Sequence, residues 1–204
     1  VRTSVLSDPG RRAAMRRALG VEPGHPRTFH AYREIARFLP SDNPRPAEEH
    51  ALLTVGALMC AQPRQVRDSE RAATATRETD HDDESADAED STDGAQPSRQ
   101  RHYPSLGSTL AYAAREGAAA QTSVEKRLFL LCRNDVVAVH RQLPGVLTLL
   151  RPSQITINWE QLVCDLAEWD ERREEIAARW LREFYRNVDK PSSADNASAS
   201  EEDR

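Results

Sequence analysis

Apolar residues recur along this chain at spacings of three and four rather than two, in segments divided by Gly, Pro and capping residues, and that period predicts helices. Asp8 followed by Pro9 has the form of a helix start, and the segment runs through Met15 and Leu19 to Gly20 as its stop. A second segment, from about Arg27 to Leu39, places Phe29, Tyr32, Ile35 and Phe38 or Leu39 on one stripe, which is expected to pack. The run from Ala51 to Ala61 is apolar on nearly every face and lacks strand alternation, so it predicts a buried central helix. Another helix is expected over Tyr103 to Ala120, with Leu106, Leu110 and Ala113 or Ala114 in register.

The following helix is the most informative. Thr122 and Glu125 have capping-box spacing, Val124, Leu128 and Leu131 form its apolar stripe, and Lys126 and Arg133 lie on the opposite face with Arg127 on its flank. Asn134-Asp135 then reads as a break and a new cap for Val136 to Leu143, and Pro144-Gly145 as a second interruption. Beyond the apolar run Val146 to Leu150, Ile155-Thr156-Ile157 reads as a short extended piece and Trp159 to Trp169 as a helix. Asp170 opens the last helix, which carries Ile176, Trp180 and Phe184 at i+4 spacing. Arg172, Arg179, Arg182 and Arg186 fall within about one quadrant of its wheel at roughly 100° per residue, away from that stripe. The predicted fold class is all-α, a compact helical bundle.

Two segments do not fit a packed body. Residues 68–100 hold no large apolar residue and read as a disordered acidic linker, because such a composition cannot repay the entropy of ordering. Residues 189–204 read as a disordered tail. The chain thus divides into an N-terminal helical part (1–67), the linker, a C-terminal helical part (101–188) and the tail. This division also changes the meaning of the net charge of -5. Nine acids and no Lys or Arg lie between Glu78 and Asp93, and the tail from Asp189 adds five acids against two bases. Setting both aside leaves 26 bases and 19 acids, so the remaining body is basic by about +7. Lys126 and Lys190 are the only lysines, and the rest of that charge is arginine, whose planar fork suits phosphate and stacks on bases. An Ala- and Arg-rich composition with so little Lys also fits a GC-rich genome.

The chemistry-bearing motifs are few. There is no Walker loop, HExxH, GxSxG or paired Cys/His cluster, and His25, His30, His50, His81, His102 and His140 have no mutual helical spacing that sets two on one face as ligands. No catalytic residue, metal or cofactor is expected. His81-Asp82-Asp83-Glu84 reads as solvated charge, and Cys60, Cys132 and Cys164, odd in number and set among apolar neighbours, read as small core residues. Without an apolar run of 18 residues or a charged-then-apolar leader, neither a membrane span nor a signal peptide is expected, and the reading is cytoplasmic. Trp159, Trp169 and Trp180 sit at core positions rather than as stacking platforms.

The arginines admit two readings. Arg11, Arg12, Arg16 and Arg17 fit either phosphate contacts or an ordinary solvated face. On the last helix Glu175 can pair with Arg179 and Glu183 with Arg186, which favours a salt-bridged surface over a phosphate stripe. Lys126, Arg127 and Arg133 have only Glu125 and Asp135 nearby, which favours binding.

Arg16-Arg17-Ala18-Leu19 with Pro23-Gly24, Ser105-Leu106-Gly107, Val124-Glu125-Lys126-Arg127, Asp165-Leu166, and Arg179-Trp180 with Phe184-Tyr185 stand in an order that matters more than any one of them. Taken together, these segments resemble the CasB family, the small helical subunit of the type I-E CRISPR surveillance complex. The resemblance covers about Arg11 to Leu58 and, more closely, Ser105 to Arg186. It implies an all-helical, non-catalytic subunit in CRISPR antiviral defence, placed as a head-to-tail pair with a second copy of itself among the other subunits of the complex, Cascade. There it would steady the guide RNA, the target DNA and the displaced DNA strand through basic surfaces. Carried over by position, Arg16, Arg17, Arg45, Lys126, Arg127 and Arg133 are the nucleic-acid-binding candidates, with Arg179 and Arg182 from the last helix. The sequence departs from the family pattern at Pro144-Gly145, where relatives continue a helix bearing arginine. Either Arg141 and Arg151 take over that contact or it is absent. The competing reading is a helical protein–protein adaptor whose Arg faces meet acidic partners without touching nucleic acid.

Overall fold

The computed structural model describes residues 5–39, 43–68, 105–153 and 155–190, and among them it is all-helical, without strands. The acidic linker and the tail from residue 191 lie outside the described residues. The α-helices bounded at both ends by described residues are α1 (Pro9–Arg16), α2 (Phe29–Ile35), α3 (Pro46–Ala61), α4 (Leu106–Arg115), α5 (Gln121–Arg133), α6 (Val136–Leu147), α7 (Trp159–Ala167) and α8 (Trp169–Val188). Short 3-10 turns flank α2 at Pro26–Thr28 and Ala36–Phe38, and one follows α6 at Thr148–Ser153.

Side-chain caps set four of the eight starts. The side chain of Asp8 accepts from the backbone N–H of Gly10 and Arg11, Ser105 from Ser108, Asp135 from Ala138 and Asn158 from Gln161, each taking up a donor the helix leaves orphaned. Asp135 does so as expected. Thr122 does not cap α5, which starts one residue earlier behind Ala120 with no side-chain cap. Nor does Pro144 interrupt α6. It lies within the helix, which continues to Leu147, its missing N–H falling near the C-terminal end where few bonds remain to be lost.

Helices from both sides of the linker share one apolar core: Met15, Leu53 and Leu58 pack in the same cluster as Leu110, Leu128, Leu143, Leu166, Trp169, Trp180 and Phe184. α3 is its centre, buried from His50 through Cys60 except for half-buried Leu52, as its apolar run predicts, and it packs along α1 and α7. The longest helical segment, α8, is kinked at Arg172, where the backbone leaves helical values (φ -126°, ψ 26°), and it packs along α4. At their crossing a Cβ on Gly107 would stand 1.9 Å from the Trp180 carbonyl oxygen, so only glycine allows this approach. Between α1 and α3 the space above Gly56 is filled by the Met15 side chain, 2.5 Å from where a Cβ would lie. The carboxylate of buried Glu183 accepts from the Ser105 N–H at 3.2 Å, placing negative charge at the N-terminus of α4.

Polar groups inside this core come in pairs. His50 of α3 and His140 of α6 stack with centroids 3.7 Å apart, and His140 Nδ1 lies 2.8 Å from the Thr54 hydroxyl while its Nε2 is buried without a partner among the described residues. Burial, and then the neighbouring His50, pushes the His140 pKa down to about 3.

Two expectations of packing are corrected. Phe29 and Phe38 do not join the core: they are 59% and 40% exposed, because α2 buries Ala31, Glu34 and Ile35 instead. Cys60 is buried, but Cys132 is only half-buried and Cys164 is exposed.

Two outcomes follow from this packing. Gly107→Ala forces α4 and α8 apart and lowers stability by about 1–3 kcal/mol or more, read as a fall in the denaturation midpoint. An unchanged midpoint would show that the helices do not cross there. His140 takes up its proton more readily when unfolded, so its contribution is complete above about pH 6.5 and declines as pH falls toward 3. Denaturant titrations at pH 7 and pH 5 are expected to show a loss of stability that His140→Gln reduces, and an equal loss in both proteins would contradict this.

Candidate nucleic-acid interface

On α5 the residues that turn inward, Val124, Leu128 and Leu131, fix what turns outward. Lys126 and Arg133 point directly away from the core, whereas Arg127 lies at the edge facing α6. There its guanidinium donates to the Gly145 carbonyl at 3.2 Å, sharing that oxygen with the Thr148 hydroxyl at 2.6 Å. A cation at the end of a helix meets the negative pole of its dipole, so the contact orients Arg127 without neutralising it. Arg141, one turn before Gly145 on the same helix, is exposed beside it. Lys126, Arg127, Arg133 and Arg141 therefore form one basic band over α5 and α6, and none of the four makes an ion pair among the described residues. Of the nearby carboxylates, Asp135 caps α6 and Glu125 accepts the hydroxyl of Tyr185, while Glu174 of α8 shares a surface groove with Arg133.

Arg16 and Arg17, at the end of α1, are also exposed and without an ion pair among the described residues. They lie toward the same end of the molecule, since Leu19 lines a small apolar pocket together with Pro144 and Leu147 of α6. The two arginines before them on α1 are occupied. Arg11 Nε donates to buried Glu34 of α2 at 2.9 Å, and Arg12 donates to the Leu6 carbonyl at 2.8 Å.

The remaining candidates separate. Arg45 is held by Glu48 at 2.8 Å and by Glu171 of α8 at 3.3 Å, and these carboxylates, Glu48 foremost, raise its pKa. On α8 the expected pairs are replaced by others. Glu175 is taken by Arg172 at 2.7 Å, and Glu183 is buried against Ser105. Arg179 reaches across to Asp165 of α7. Asp165, 2% exposed, also accepts from the Trp180 indole at 2.6 Å and from Gln161 at 2.7 Å. Arg182 stays exposed on the outer side of α8. This Asp165 network escaped the sequence reading, although a lone Asp in the apolar register of Leu162 and Leu166 was its signal. The side chain of Arg151 is not among those described.

The described residues hold no group of three His, Cys, Asp or Glu placed to bind a metal, and no helix long and apolar enough to cross a membrane. Fold and surface together define a small all-helical module with a basic outer face. The family model described as CRISPR-associated protein Cse2 matches residues 11–185, and the chain belongs to that family, as its resemblance to CasB implied. A chain from the solved "CRISPR RNA-guided surveillance complex" is 30% identical, with a TM-score of 0.69 over 92% of this chain and 88% of that one. A chain from the same kind of complex in a pre-nicking state gives 30% identity and a TM-score of 0.71 over the same shares. The crystal structure of CasB from M. ruber, 22% identical, shares the fold with a TM-score of 0.61 over 95% of this chain and 90% of that one. Among curated proteins none matches.

The geometry separates a structural arginine from exposed ones. Arg179→Ala leaves the buried Asp165 carboxylate without its cation and is expected to cost about 2–4 kcal/mol of stability, discounted from a fully buried pair because the arginine is partly exposed. Arg182→Ala should shift the melting midpoint little. Equal effects of the two substitutions would contradict the assignment.

Proposed function

We propose that this chain is the non-catalytic small subunit of a type I-E CRISPR RNA-guided surveillance complex in the cytoplasm. Its basic band steadies the guide RNA–target DNA hybrid and the displaced DNA strand. Family membership and the two 30%-identical chains from surveillance complexes support the assembly. The observation that carries the nucleic-acid role is the band of Lys126, Arg127, Arg133 and Arg141, exposed on rigid helices with no carboxylate paired to it among the described residues. Exchange of a DNA duplex for an RNA–DNA hybrid is nearly balanced, so modest backbone contacts to the released strand suffice to tip it. Cations fixed on a helical surface supply such contacts without reading sequence.

In this reading the partners are the other subunits, a second copy of the chain, the guide RNA, the target DNA and the displaced strand. Arg16 and Arg17 extend the band, and Arg182 contributes from α8. Arg45 and Arg179 take a lesser part because carboxylates already hold them.

Anisotropy titration of a fluorescent oligothymidylate with the full chain at several salt concentrations tests the role. Lys126→Ala combined with Arg127→Ala should weaken binding by about tenfold or more at low salt and flatten the salt dependence by roughly 0.7 in log–log slope for each phosphate no longer neutralised. Unaltered binding by a variant that melts like the parent would favour the adaptor, with its arginines directed at acidic protein.

A further inference from the structure

The basic band lies beside both points at which the acidic linker joins the folded body. Before the linker the described chain runs to Asp68, and Val66 lines the small apolar pocket together with Pro144 and Leu147 of α6. Between those two residues is Gly145, on whose carbonyl Arg127 docks. The chain resumes at Ser105, whose N–H is held by Glu183 of α8, the helix whose Tyr185 bonds Glu125, the neighbour of Lys126. The linker also carries the charge that the band lacks. Glu78 to Asp93 hold nine acids and no Lys or Arg. Lys126, Arg127 and Arg141, with Arg16 and Arg17 toward the same end, make no ion pair among the described residues. About ten residues lie between Asp68 and Glu78, and about as many between Asp93 and Ser105, enough to span roughly 30 Å when extended. The stretch of α5 from Lys126 to Arg133 is only about 10 Å long, so the acids reach all of it.

We propose that residues 78–93 occupy the basic band when no nucleic acid is bound, their carboxylates resting on Lys126, Arg127 and Arg141, and that a strand must displace them to bind. The segment lies outside the described residues, and its charge and the placement of its two ends single it out. Tethering makes the encounter intramolecular, at an effective concentration on the order of millimolar, so pairs that are each weak on an exposed surface form together. The tail from residue 191 is the poorer competitor, its acids spread among Ser, Ala and Asn and grouped only at Glu201 to Asp203. The contact makes the band selective. A small anion does not displace several tethered carboxylates at once, whereas a strand with a phosphate at every nucleotide does. The docking of the segment is independent of the proposed nucleic-acid role, and only its displacement rests on that role.

Lys126 and Lys190 are the only lysines, so carbodiimide coupling of carboxylate to amine gives a direct readout on the full chain. At low salt the monomer-sized product should contain peptides joining Lys126 to residues 78–93. Salt at about 0.5 M, which shortens the screening length to roughly 4 Å, should abolish them, and oligothymidylate added first should suppress them. Exchanging each of the nine acids for its amide, as in Asp82→Asn and Glu84→Gln, should raise oligothymidylate affinity by roughly threefold or more at low salt and little at high salt, without moving the melting midpoint. Absence of coupling between Lys126 and residues 78–93, coupling of Lys126 to the tail instead, or coupling only between two copies would overturn the docking. Coupling that oligothymidylate leaves intact, with equal affinity of the parent and the amide variant, would overturn the displacement. If neither protein binds oligothymidylate while the coupling persists, the nucleic-acid reading falls and the docking stands.

Discussion

A carboxylate inside an apolar body is costly unless every lone pair finds a donor, and Asp165 is satisfied from three directions. Gln161 on its own helix, Arg179 and the indole of Trp180 all donate to it. The two donors from α8 fix its rotation and height against α7, because a shift of one residue would leave the charge uncompensated. Trp180, so held, presents its backbone to Gly107, and that contact sets the approach of α4. α5 packs on both α4 and α8 and carries Lys126, Arg127 and Arg133 on the face left over. The placement of the basic band is thus several packing steps from the buried Asp165 carboxylate that establishes it.

The same logic joins the two ends of the chain. α1 to α3 precede the linker and α4 to α8 follow it, yet Thr54 and His50 of α3 meet His140 of α6 inside the core, and α3 packs along α7. A neutral imidazole pair is compatible with that interior, whereas a charged one is not. Surface cations sort by the same criterion of compensation. Arg11, Arg45, Arg172 and Arg179 each hold a carboxylate and serve the fold, while Arg16, Arg17, Lys126, Arg133, Arg141 and Arg182 have none among the described residues.

The stripes of α5 and α8 and the buried centre of α3 were legible in the sequence because period and apolar content there point the same way. Val124, Leu128 and Leu131 face inward as read, as do Ile176, Trp180 and Phe184. The expectations that missed share one cause: each depended on a tertiary neighbour. Glu125 has capping-box spacing from Thr122, yet it accepts the hydroxyl of Tyr185 from α8. Arg179 lies four residues from Glu175, but a buried carboxylate on another helix holds it instead. Phe29 is in register with Tyr32 and Ile35, yet among the described residues no element covers it. The basic band was legible as charge spacing on α5. That Arg127 would dock on α6 beside Arg141 required the helix to pass through Pro144, which sequence rules alone would stop.

The most direct test is to isolate the tagged chain from its native cells at low and high salt, identify what accompanies it, and sequence the bound RNA. The account predicts a multi-subunit assembly carrying short repeat-derived guide RNAs. Recovery of protein partners without such RNA would contradict it.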